Sequence, residues 1–172
     1  YFGEEIGEKG MDEEGFSGRD GRTTIFDWWS VASIRRLRKL IASGKYRSSS
    51  VSELVENGLM KEEAELFLRF TEAIRFAAED CSIRQGTTYD LCYCNMSSDG
   101  FDKNRHFVFL RDYEEHTLLI AANFSNREAV MKLVIPEHAF EWMGIPKTEA
   151  LHPGKVIEVK VQPMDGAIVT LI

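Results

Sequence analysis

Along the chain the spacing of hydrophobic positions changes twice, and the changes divide the sequence into stretches of different character. Residues 1–25 hold six glycines among many charges and show neither helical nor strand periodicity after Ile6. They read as a strand end followed by a long loop, and loops of that length are functional or anchored on something larger. From Ser30 the pattern changes, with Val31, Ile34, Leu37 and Ile41 recurring at three- and four-residue steps. A short amphipathic helix is predicted, capped by Ser30 and stopped at Gly44. Residues 48–58 read as a serine-rich linker with one helical turn around Glu53. A longer helix is predicted from about residue 60 to residue 80. On it Ala64, Phe67, Leu68, Ile74 and Ala78 make one apolar stripe, and Leu66, Phe70, Ala73 and Ala77 make another. The polar strip that remains includes Glu65 and Arg69, spaced for an i,i+4 pair. A helix apolar on most of its circumference belongs between two packed layers.

After Arg84 the period becomes two. Strands are predicted at 87–94, 105–111, 117–122, 129–135, 156–161 and 167–172, with turn residues at 97–100, 125–126, 152–154 and 165–166. Ile157, Val159 and Val161 alternate with Glu158 and Lys160, as in a strand with one face inward. Short strands at near-regular spacing imply an antiparallel sandwich. The expected class is α+β, with an N-terminal loop and helices over 1–80 and an antiparallel β-sandwich over 81–172.

Composition narrows the class without changing it. With 172 residues, 44% hydrophobic and 28% charged, the chain is long enough to bury a core without disulfide help. No apolar run approaches the roughly 18 residues that span a bilayer, so no membrane span is expected. A net charge of −7 opposes a phosphate backbone, which disfavours nucleic acid as a partner. Arg35, Arg36, Arg38 and Lys39 read as a solvated face or as partners of acidic neighbours. Cys81, Cys92 and Cys94 cannot all pair within one chain. Cys92 and Cys94, two apart on a predicted strand, share a face in a geometry poorly suited to a mutual disulfide, so free structural thiols are expected. Their number leans toward a reducing compartment or a tolerant export route and leaves the compartment open.

The chemistry-bearing motifs are sparse. Cleaving a glycosidic bond takes two carboxyl groups flanking it, one of them raised in pKa. The acidic head, with Glu4, Glu5, Glu8, Asp12, Glu13 and Glu14, reads instead as solvated surface. Gly15-Phe16-Ser17-Gly18 is similar to a nucleophile elbow but has Arg19 in place of the final glycine. Cys92-x-Cys94 with distant Cys81 falls short of a zinc set. His106, His116, His138 and His152 are scattered and read as solvated or packed. Asn95-Met96-Ser97 and Asn123-Phe124-Ser125 fit the glycosylation triplet, to which no function is attached. Among the tryptophans, Trp28 and Trp29 read as core. Trp142, in a predicted loop after Pro136, is the better candidate to offer a ring face to a sugar, with Phe140 nearby, although packing in a core or against another domain is the weightier reading for it.

Four separated stretches carry a family pattern together. The opening YFGEEIG resembles the end of the eighth barrel strand in alpha-amylase-family glycoside hydrolases, and DGRTTIFDWWSV (20–31) resembles the segment after it. SIRQGTTYDLCY (82–93) resembles the start of that family's C-terminal β-domain, and FVFLRDYEEHTLLIAANFS (107–125) its next two strands. Order and spacing agree, and the likeness covers nearly the whole chain. It departs at Met60, where relatives carry a Ser or Thr cap on the linking helix.

The resemblance implies an eight-stranded barrel with its active site in loops at the strand C-termini, followed by a β-sandwich. It places the family's nucleophile Asp, acid/base Glu and second Asp upstream of Tyr1, so no catalytic residue and no cofactor are expected in this chain, and calcium is a matter for the intact parent. Glu4 and Glu5 would lie near the active-site face without being the acid or the nucleophile. The expected partners are the upstream barrel of the same protein and an α-glucan. Two rival readings are a stand-alone glucan-binding module using Trp142 and Phe140, and a non-catalytic relative serving as an interaction subunit.

Overall fold

A computed structural model describes residues 3–7 and 31–172. The chain is α+β, helices first and antiparallel sheets after them. It divides into two compact units, Tyr1–Phe76 and Ala77–Ile172. Among the described residues no helix is long and apolar enough to cross a membrane.

The first unit is helical. Glu4–Ile6 form a 3-10 turn rather than the expected strand end, and Ile6 enters the core. Helix α1 (Ala32–Ala42) buries Ser33, Ile34, Leu37 and Leu40. Leu40 takes the place expected of Ile41, which is 50% exposed, because successive side chains step about 100° around a helix and the buried stripe follows Leu37 to Leu40. The predicted cap at Ser30 lies outside the described residues. The 48–58 segment is more ordered than a linker. Ser50 accepts from the Glu53 N–H, Ser48 donates to the Glu53 carboxylate at 2.5 Å, and helix α2 (Val51–Glu56) follows with Leu54 fully buried.

Helix α3 (Lys61–Glu79) starts without a hydroxyl at Met60, yet the other half of a capping box is present: Met60 N–H donates to Glu63 Oε2 at 2.9 Å. Ala64 is buried in the core of this unit, with Phe67 and Leu68 packed against it. Further along, Ala73 and Ile74 are exposed, Ile74 at 64%. The expected double burial of this helix is therefore not seen there, since Ile74 belongs to the first stripe and Ala73 to the second. On the same helix Lys61 Nζ lies 3.8 Å from Glu65 Oε1, an i,i+4 ion pair.

In the second unit, helix α4 (Cys81–Gln85) is capped by Asp80, whose Oδ1 accepts from the Ile83 N–H. Strands β1 (Thr87–Asp90), β2 (His106–Tyr113), β3 (His116–Asn123) and β6 (Asp165–Thr170) form an antiparallel sheet in the order β1-β2-β3-β6. Strands β4 (Ala129–Val134) and β5 (Val156–Val161) form a second. Their inner faces share one core, with Val108, Leu110 and Leu119 from the larger sheet and Met131, Leu133 and Val159 from the smaller. The strand bursts of alternation thus resolve as two layers, the arrangement in which one-faced strands hide their apolar sides.

Candidate functional site

Tyr89 sits on β1, an edge strand of the larger sheet, where alternation turns it to the core face opposite Leu110. The strand stops at Asp90, four residues before its predicted end at Cys94. Asp90 Oδ1 accepts from Cys92 N–H at 2.7 Å, and the chain then tightens into a 3-10 helix, Tyr93–Asn95. Asn95, wholly buried, fastens this turn: its Nδ2 donates to Leu91 and Val134 carbonyls at 2.9 and 3.0 Å, and its Oδ1 accepts from Val134 N–H and Ser98 Oγ at 2.8 Å each. Side-chain hydrogen bonds to local backbone are the known competitor of strand continuation. Cys92 and Cys94 therefore do not share a strand face. Both are free, and burial pushes both thiols above their usual range.

The turn carries the Tyr93 ring beside Tyr89, with centroids 6.2 Å apart. From the other side comes helix α5 (Glu137–Met143), where a loop was expected. Pro136 precedes it, Ala139 N–H donates to the Pro136 carbonyl, and Gly144 ends it. Ala139 and Phe140 point inward while His138 and Trp142, four residues apart, share the outer face. Their rings stand 5.9 Å each from the Tyr89 ring, tilted by 44° and 51°.

These side chains line a shallow cleft of about 280 Å³, bounded by Thr88, Tyr89, Asp90, Tyr93, His138 and Trp142. Tyr89 is 7% exposed and forms its floor, while Tyr93 and Trp142 are 52% and 55% exposed and form its walls. The Tyr89 hydroxyl is hydrogen-bonded to the Tyr93 hydroxyl and, at 3.2 Å, to His138 Nδ1. Burial, reinforced by the Tyr93 hydrogen bond, pushes the Tyr89 hydroxyl well above the usual phenol range, so it stays protonated.

No protein-family model, curated protein or solved structure matches this chain. The chemistry of the cleft is therefore argued from its groups alone. Stacking faces with a polar rim suit binding. Elsewhere, Asp80 and His116 form a carboxylate–imidazole pair, but the adjacent Ser82 hydroxyl donates to the His116 backbone carbonyl at 2.5 Å, so the three do not make a nucleophile relay. Glu63, Asp80, Asp99 and Glu128 are displaced in pKa, all downward, opposite to what a general acid needs. Among the described residues no three or more His, Cys, Asp or Glu side chains are grouped to hold a metal ion.

Of the residues singled out in the sequence, Trp142 is exposed and lines the cleft, but on a helix. Phe140 is 1% exposed and belongs to the core, which corrects its assignment as a sugar platform. Glu4 and Glu5 lie in the 3-10 turn of the first unit, Glu5 Oε2 accepting from Gly3 N–H at 3.0 Å. Glu8, Asp12, Glu13, Glu14, Trp28 and Trp29 lie outside the described residues. Tyr89, Tyr93, Asp90 and His138 were missed as cleft residues. Pro136 and Gly144 bracketing an Ala139–Phe140–Met143 apolar face would have marked α5, and α5 would have set His138 beside Trp142.

Proposed function

We propose that this chain is the C-terminal portion of an alpha-amylase-like glycoside hydrolase acting on α-linked glucans, with its β-domain stabilising a catalytic barrel encoded upstream. The observation that carries the reading is the ordered resemblance at 1–7, 20–31, 82–93 and 107–125. Supporting it, the 107–125 stretch, likened to two consecutive strands, spans the β2–β3 hairpin at the centre of the larger sheet. In this reading the bond-breaking carboxylates belong to the upstream barrel, and this chain contributes packing.

The test is the coding sequence. It should run several hundred residues upstream of Tyr1, consistent with a barrel of about 250 residues. The extended protein should release reducing ends from starch or maltooligosaccharides, and the 172-residue chain should release none. A reading frame that opens at Tyr1, or an extended protein inert toward α-glucans, would defeat the proposal.

A further inference from the structure

We infer that the cleft between β1 and α5 is a binding site for the rings of a neutral glycan, with Trp142 and Tyr93 as stacking walls and Asp90, Tyr93 and His138 as hydrogen-bonding partners. That the glycan is an α-glucan rests on the function proposed above; that the cleft takes a neutral sugar ring does not.

Four features point to a sugar. Two large aromatic rings, each more than half exposed, flank a third that is buried, and such a cluster on a free surface is unusual unless something lies against it. The Tyr89 hydroxyl, bonded to both Tyr93 and His138, ties one wall to the other, so the side chains are held in place before a ligand arrives and little side-chain freedom is lost on binding. The rim is polar in the manner hydroxyls need: Tyr93 and His138 are each donor or acceptor, and Asp90 is an acceptor whose Oδ1 also accepts from Cys92 N–H. His138 engages Tyr89 through Nδ1, which leaves Nε2 without a hydrogen bond among the described residues.

Charge and shape exclude the nearest competitors. The carboxylate of Asp90 in the cleft and a net charge of −7 disfavour an anionic polysaccharide. Aromatic rings beside a carboxylate also suit a quaternary ammonium, but those ligands are held in enclosed cages, and here the walls are more than half open to solvent. At about 280 Å³ the cleft is small for a protein helix, whose side-chain envelope is roughly 10 Å across.

The test is titration of the full 172-residue chain with maltoheptaose, cellohexaose and tetramethylammonium, followed by calorimetry and by retardation in starch-containing native gels. Trp142→Ala should weaken maltoheptaose binding about tenfold or more, as loss of a central aromatic anchor does, and Trp142→Phe should keep most of the affinity. Tyr93→Phe, which preserves the ring and removes the hydroxyl, should weaken it by a smaller factor. Circular dichroism identical to the parent chain verifies that the variants fold. Cellohexaose bound with the same Trp142 dependence while maltoheptaose is ignored would uphold the neutral-glycan cleft and overturn its assignment to α-glucans. Binding of neither sugar, sugar binding indifferent to Trp142→Ala and Tyr93→Phe, or binding of tetramethylammonium alone would overturn the cleft itself and leave the upstream-barrel test untouched.

Discussion

Nε2 of His116, at the start of β3, lies 3.0 Å from Oδ2 of Asp80, the residue that caps α4. His116 Nδ1 lies 3.3 Å from the Ile172 carbonyl, so only the doubly protonated ring can donate in both directions. The Asp80 hydrogen bond first, and its negative charge after it, hold the imidazole above its ordinary value against the opposing effect of burial. Burial alone would raise the Asp80 carboxyl, but hydrogen bonds from His116 and the Ile83 N–H outweigh it and hold the group below its ordinary value.

The sign of the pH dependence follows from those directions. A histidine raised on folding contributes stability that is complete below the unfolded value of about 6.5 and is lost as pH rises through the folded value. The Asp80 contribution is present above its ordinary 3.8 and is lost as pH falls through the lowered folded value. The pair should therefore stabilise most at mildly acidic pH. Urea unfolding should show stability falling by about 1 kcal/mol, as for a partly exposed ion pair, as pH rises past the histidine. His116→Gln should flatten that slope, and an unchanged slope would remove the pair from the account.

Arg36 and Glu63 form the second ion pair of consequence. Arg36 Nε donates to Glu63 Oε2 at 2.9 Å, its Nη2 bonds the other carboxylate oxygen, and Glu63 is only 8% exposed. The guanidinium hydrogen bond, opposed by burial and aided by Met60 N–H, holds the carboxyl below its ordinary 4.5. Its stabilisation is present above that value and is lost as pH falls through the lowered folded one. Arg36→Ala strands a buried carboxylate and should cost roughly 2–3 kcal/mol at neutral pH, read from chemical denaturation. A loss under 0.5 kcal/mol, the ordinary range for surface changes, would class the pair with solvated charges.

Asn95 and Asn123 both head glycosylation triplets, and both are 1% exposed or less. Asn123 Nδ2 donates to the carbonyls of Arg127, Val161 and Gln162, and its Oδ1 accepts from Ser125 N–H. Neither amide is open to modification in the folded chain. Asn95→Ala or Asn123→Ala leaves several buried backbone groups unpaired, and each should cost roughly 2–4 kcal/mol in equilibrium unfolding. Glycan found on either residue of the folded protein would contradict this.

Two glycines should respond differently to alanine. Gly100 has φ of +75°, and an added Cβ would stand 1.9 Å from the Val130 carbonyl oxygen, so the backbone has to move. Gly144, at the end of α5 with φ of +74°, has nothing within 4 Å of that position. Gly100→Ala should lower stability by about 3 kcal/mol or more, and Gly144→Ala by about 1–2 kcal/mol from backbone strain alone. Equal shifts in thermal midpoint for the two would show that the crowding at Gly100 is relieved cheaply.

Periodicity along the chain determined the class of each stretch: the helices around Leu37 and Phe67, and the β2 to β6 strands to within a few residues, because burial of one face imposes its period on the residues that supply it. It erred where side chains compete with the regular backbone. Asp90 and Asn95 bend the chain out of β1, and Glu63 caps α3 where no hydroxyl does. Exposure of Trp142 was only partly legible, since it was tied to a loop after Pro136 that is in fact helix α5. The tertiary structure alone decided that Phe140, two residues away, is core, and that Tyr89, Tyr93 and His138 meet Trp142. These residues lie on a strand, a turn and a helix separated by up to 53 positions. Only packing of the elements brings such rings together, because local spacing carries no record of which edge a distant helix will cover.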